Sequence, residues 1–263
     1  MPAAPSRACK LAGFCPGDPG EKVLAPQRLA LSGPTLVRLL ARFGDAEVTE
    51  SRQSISDHLS QWLGWTDAIA LSTALSAQAP GGEPAARVGV SAEQSQSERV
   101  RAALRKAISG EGASARRDGR RTPAASVQAT ADVEPDFADF RQRYLAVQQA
   151  METDIGTLRV RLRAALAARA PALARLATVD AVMEQALGAR ERSLLAGVPA
   201  LLGAHFERLR ATAAAAAAES AGESAAPHAW LAVFRKDMQS VLLAELEIRF
   251  QPVEGLLAAL RTS

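Results

Sequence analysis

The chain has 263 residues and a net charge of +3, from 31 Lys and Arg against 28 Asp and Glu. Hydrophobic residues make up 48% and aromatics only 4%. That is enough Leu and Ala to bury a core for one large domain or two small ones, and it argues against sheets built from alternating β-branched and aromatic runs. The pI of about 9.2 rests on few surplus charges, so composition alone does not demand a polyanionic partner. The expected class is all-α: a small N-terminal helical bundle followed by long antiparallel helices packed as a coiled-coil-like three-helix layer.

Residues 1–31 are dense in Pro and Gly without periodicity and read as a disordered tail. They hold no continuous apolar h-region, so no secretory signal is expected and the chain reads as cytoplasmic. Both cysteines, Cys9 and Cys15, fall here; with no further Cys or nearby His they read as free thiols, and neither a metal nor a cofactor is expected.

Residues 32–77 read as the small bundle. A first helix is expected over Pro34–Phe43, with Leu36, Leu39 and Leu40 in one stripe and Gly44 past its end. A second starts around Thr49–Arg52 and aligns Ile55, Leu59, Trp62 and Leu63 on one face until Gly64 interrupts it. A third, with Thr66 as its expected N-cap, runs to about Ser76 through Ile69, Leu71 and Leu75.

Residues 78–133 read as two linkers around one helix over 91–109. Ser91-x-x-Gln94 and Ser95-x-x-Glu98 each fit a capping box, and Val100, Leu104 and Ile108 follow at steps of four before Gly110. Either half of the chain is a plausible dock for this helix.

Residues 134–263 carry the clearest pattern. Phe137, Phe140, Tyr144, Val147, Met151, Ile155, Leu158 and Leu162 recur every three or four positions until Pro171. A helix from Asp136 to Arg169 would be about 50 Å long at ~1.5 Å per residue. The next segment presents Leu173, Leu176, Val179, Met183, Leu187 and Leu194, with a break expected at Pro199 before Leu201, Leu202, Phe206 and Leu209. A last helix from near Pro227 carries Trp230, Phe234, Met238, Leu242 and Leu246, then Leu256, Leu257 and Leu260 beyond Pro252, where a kink is expected. Three such segments make an up-down-up layer whose open seam calls for self-association or a partner helix.

Chemical signals are sparse. The sequence has no phosphate-binding glycine loop, HExxH or GxSxG, and its histidines, His58, His205 and His228, are far apart. No catalytic residue is nominated, and the chain is not expected to be an enzyme. Residues 98–121 hold eight basic side chains, among them Arg99, Arg101, Arg105, Arg116, Arg117, Arg120 and Arg121, against three acidic ones. A solvated linker is the first reading and an anion or nucleic-acid patch the second, because no aromatic is interleaved to stack on bases. Trp62 and Trp65 stand close together, and with Asp67, Glu50 and Arg52 they form the densest polar and aromatic cluster. Core packing is the commoner fate of such tryptophans, and a protein interface is the other.

ESRQ at 50–53, LSQWLGWTDAIALS at 59–72, MEQAL at 183–187, ERSLL at 191–195 and QPVEGLLAALR at 251–261 together resemble an uncharacterised family of proteobacterial proteins, a domain of unknown function. The resemblance covers most of residues 34–263 and implies no catalytic residues. Its gene neighbourhoods imply a cytosolic partner of an envelope complex. With the periodicity, this makes a non-enzymatic interaction or scaffold protein the leading expectation, with nucleic-acid binding through residues 99–121 as the alternative.

Overall fold

The computed structural model describes residues 35–44, 53–76, 89–110, 136–219 and 229–262. Among them every regular element is an α-helix: α1 Thr35–Gly44, α2 Ile55–Trp62, α3 Trp65–Ser76, α4 Val90–Ser109, α5 Phe137–Ala167, α6 Pro171–Leu195, α7 Val198–Glu219 and α8 Ala229–Arg261. The chain is all-α, as its composition and periodicity require.

The core is the seam between α5 and α8. Asp136 caps α5 by accepting the Ala138 amide, and the 3–4 spacing then turns Tyr144, Val147, Met151, Ile155, Leu158, Leu162 and Leu166 inward. On α8 the stripe through Phe234, Met238, Leu242, Leu246, Phe250 and Val253 is equally buried, and the helix runs on through Pro252 to Arg261. Each of these large apolar side chains contributes about 1.5–3 kcal/mol on burial. Pro171 opens α6 in its first turn, where its missing amide costs nothing.

Cross-helix pairs give the directions. Arg159 and Arg163 of α5 meet Asp180 and Glu184 of α6, while the earlier Glu152 meets the later Arg192. These two helices are therefore antiparallel. Tyr144 bonds Glu245, and Arg169 bonds the Leu260 carbonyl, so α5 and α8 are parallel. The up-down-up order holds, with the middle segment broken at residues 196–197 and Pro199 in the first turn of α7.

Three features differ from expectation, and one more, the dock of α4, decides a choice the sequence left open. First, α1 joins no bundle with α2 and α3: it packs on α7 and α8, whereas α2 and α3 lie on α6. These short helices cannot enclose a core together, because α2 buries no residue and α3 only Ala74; all belong to one compact unit over Gly33–Ser263. Second, α4 docks on α5 and α8, covering the seam that the three-helix layer alone would leave open. Third, α4 begins at Val90, with Gly89 at the N-cap and no side-chain cap bond, ahead of both expected capping boxes. Fourth, α2 starts at the Ser54–Asp57 capping box rather than at Thr49–Arg52, and α3 opens at Trp65 with the Asp67 carboxylate accepting the Gly64 amide at 3.0 Å. The tail, both cysteines, His228 and most of the two linkers lie outside the described residues.

Candidate functional site

The tryptophan region is a surface. On α3 the covered strip is Asp67, Leu71 and Ala74, spaced at four and three on one helix face, and Leu59 of α2 and Leu63 between the two helices are half-covered as well. The large apolar residues on the other side are exposed: Trp65 is 81% exposed and Ile55 80%, with Ile69 and Leu75 also exposed. Trp65 and Ile69 are neighbours at i, i+4. Trp62 is exposed too; its ring stacks on His58 at 5.2 Å, and the Arg190 guanidinium lies 5.8 Å from its centre. Core packing is thus not the fate of Trp62 or Trp65. Asp67 serves as the α3 cap. Asp57 accepts the Ser54 amide while Ser54 accepts that of Asp57, and these bonds hold its carboxyl below the ordinary 3.8. Glu50 and Arg52 lie outside the described residues.

The basic residues do not assemble into a strip among the described residues. Arg101 bonds Glu247 at 3.0 Å and Glu254 at 2.5 Å, Arg105 bonds Glu247 at 2.7 Å, and the Arg101 guanidinium covers the Phe250 ring at 4.5 Å. These charges dock α4 onto α8. Arg99 lies on the α5 side of α4, beside Arg161 in a shallow groove. Arg116, Arg117, Arg120 and Arg121 lie outside the described residues.

Two polar constellations bring together residues far apart in the sequence. His205 Nε2 lies 2.8 Å from Asp237 Oδ2, and its ring stacks on Phe43 at 4.3 Å. Arg208 donates to the Phe43 carbonyl at the end of α1. Together these groups fasten α1 to α7 and α8.

The second constellation is buried. Glu245 is 0% exposed. It accepts from the Tyr144 hydroxyl at 2.6 Å, from Gln148 Nε2 at 3.0 Å and from Arg249 Nε at 2.9 Å. Burial, then the Glu245 charge and the hydrogen bond to it, pushes the Tyr144 hydroxyl far above its ordinary range. Arg249 also reaches Glu191 at 2.9 Å, linking α5, α8 and α6. One signal in the sequence could have found this network: Glu245 falls on the apolar stripe between Leu242 and Leu246, where a charge needs a partner.

Beside the network, α5, α6 and α8 enclose a groove of about 680 Å³. Its apolar floor includes Met151, Ile155, Met183 and Leu187, and its rim carries the α5–α6 ion pairs. The pairs are tight at one end, where Arg163 holds both Asp180 and Glu184. Burial works against its charged form, but those hydrogen bonds and charges outweigh it and push the guanidinium up. Residues from MEQAL, ERSLL and QPVEG, three of the blocks behind the family resemblance, meet at this groove.

Among the described residues no group of three or more His, Cys, Asp or Glu could hold a metal ion, and no helix is long and apolar enough to cross a membrane. No curated protein and no solved structure matches the chain. The family model described as protein of unknown function (DUF3348) matches residues 23–262. With its periodic long helices, ordered sequence blocks and all-helical architecture, the chain belongs to that family.

Proposed function

We propose that this chain is a non-enzymatic protein–protein interaction or scaffold protein, and that the outer face of α2 and α3 is its docking surface. The observation that carries this reading is the exposure of Trp65 together with Ile55, Ile69 and Leu75 on two consecutive short helices. Solvating so many large apolar groups on two short helices is unfavourable, and exposed apolar patches of this kind mark interaction sites. Tryptophan is also enriched among the residues that dominate interface energies.

These two helices contain no Lys or Arg between residues 53 and 76, and their charges are Asp57 and Asp67. A partner helix with an apolar face flanked by basic residues suits it. The resemblance stated above suggests where to look: an envelope complex approached from the cytoplasm.

The test is crosslinking pull-down from native cells, combined with size-exclusion chromatography and light scattering, on the full chain and on a Trp65→Ala/Ile69→Ser variant. A hot-spot tryptophan costs about 2–4 kcal/mol on truncation, so the captured partner, or the oligomer, should weaken by at least ~30-fold with the helical signal unchanged. A strictly monomeric chain that captures nothing, or a variant that binds as well as the wild type, refutes the proposal.

A further inference from the structure

The groove between α5, α6 and α8 is assigned no role by the fold or by the docking surface on α2 and α3. By sequence, α6 should bury a full apolar stripe; among its residues only Ala177 is buried. Met183 and Leu187 remain half-buried as one wall of a space of about 680 Å³, facing Met151 and Ile155 of α5. This volume lies within the ~300–1,000 Å³ usual for small-molecule sites.

Gly156 on α5 opens the space. A Cβ built there would meet nothing within 4 Å, and its backbone has no left-handed conformation. Glycine inside a helix is unfavourable relative to alanine, and no neighbouring atom requires it here. Its missing side chain leaves this part of the groove wall open.

The charges around the groove do not balance. Four guanidinium groups (Arg159, Arg163, Arg192 and Arg249) serve five carboxylates (Glu152, Asp180, Glu184, Glu191 and Glu245). Arg249, with its side chain 9% exposed, is shared by Glu245 and Glu191 at 2.9 Å each. Glu245 is enclosed and cannot be solvated, so the surplus negative charge falls on Glu191, 47% exposed at the mouth.

We infer that this groove binds a small monocationic amphiphile, with an apolar body over Met151, Ile155, Met183 and Leu187 and one ammonium group on the Glu191 carboxylate. No bond is made or broken; the site recognises one positive charge on a hydrocarbon.

The probe is n-octylammonium, titrated into the full chain and followed by the methionine methyl resonances, with octanoate as the control of opposite charge. Saturable shifts are expected at Met151 and Met183 and not at Met238, which lies in the core seam of α8. Octanoate should bind at least about tenfold more weakly, and Glu191→Gln should weaken octylammonium by about tenfold, the loss expected for one charge-assisted contact. Gly156→Leu should place an isobutyl group inside the groove and weaken the binding, while the thermal melt stays at or above that of the wild type. If Gly156→Leu does not fold, Glu191→Gln, on an exposed side chain, decides alone. Equal binding of octanoate, full binding by Glu191→Gln or a folded Gly156→Leu, or no saturable shift with octylammonium overturns the inference. None of these outcomes bears on the α2–α3 surface, which the Trp65→Ala/Ile69→Ser pull-down tests separately.

Discussion

Replacing Tyr144 by Phe removes one oxygen from the most enclosed polar group in the described core. The Tyr144 hydroxyl donates to Glu245 at 2.6 Å, with both residues buried. A hydrogen bond to a charged acceptor contributes about 1.5–3 kcal/mol, and the carboxylate left behind cannot turn to water. For a domain of this size, about 2–4 °C of melting temperature accompanies each kcal/mol. Tyr144→Phe should therefore lower the midpoint by roughly 3–12 °C. Glu245→Gln, alone and combined with Tyr144→Phe, closes a double-mutant cycle whose coupling energy isolates the bond.

The same bond has a pH signature that is directly visible, because the chain has a single tyrosine. The folded-state value of Tyr144 is raised far above the ordinary 10.0, first by burial and then by Glu245. A group raised on folding adds stability that is complete below its unfolded value, and that stability is lost as pH rises past it. Tyrosinate absorbance should stay absent in the native chain at pH 10 and appear only together with loss of the helical signal. In denaturant it should appear near 10. A tyrosinate titrating near pH 10 with helicity intact, or a Tyr144→Phe chain as stable as the wild type, would refute the reasoning.

Two further perturbations test the packing. Phe234 is 0% exposed and its ring contacts those of Phe137, Phe140 and Phe206; Phe234→Ala should cost about 3–5 kcal/mol in a urea melt, and a loss under about 1 kcal/mol would show that the aromatic cluster collapses around the cavity. Glu93 is buried while its bidentate partner Arg161 is half-exposed, and those bonds push the Arg161 guanidinium up. Arg161→Ala, which strands a buried carboxylate, should therefore loosen α4 more than Glu93→Gln does, as read by amide exchange across residues 90–109; the reverse order would show that Arg161 anchors nothing.

Periodicity was enough to name the helices of the C-terminal half and most of their buried residues. From Tyr144 to Leu162 every residue of the expected seam is buried, because a 3.6-residue turn brings side chains three and four apart onto one face whatever that face meets. Glu245 was legible for the same reason, as a charge on an apolar stripe; its partners were not. The sequence also showed that α3 is apolar, but not which of its apolar residues would be covered. Trp65 and Ile69 stay outside while Asp67, Leu71 and Ala74 of the same helix, which packs on α6, are covered.

The tertiary arrangement alone decided what each helix lies against. Neighbours in sequence suggested that α1, α2 and α3 would share a core; instead Phe43 of α1 stacks on His205 of α7. The position of α4 depends on ion pairs such as Glu93–Arg161 and Arg101–Glu247, whose partners stand 68 and 146 residues apart. The same holds for His205–Asp237 and for the groove that Gly156 leaves open between three helices. Hydrophobic spacing is a local property that one helix carries by itself. Charge pairing and leftover volume belong to several helices at once, and they exist only when those helices are packed together.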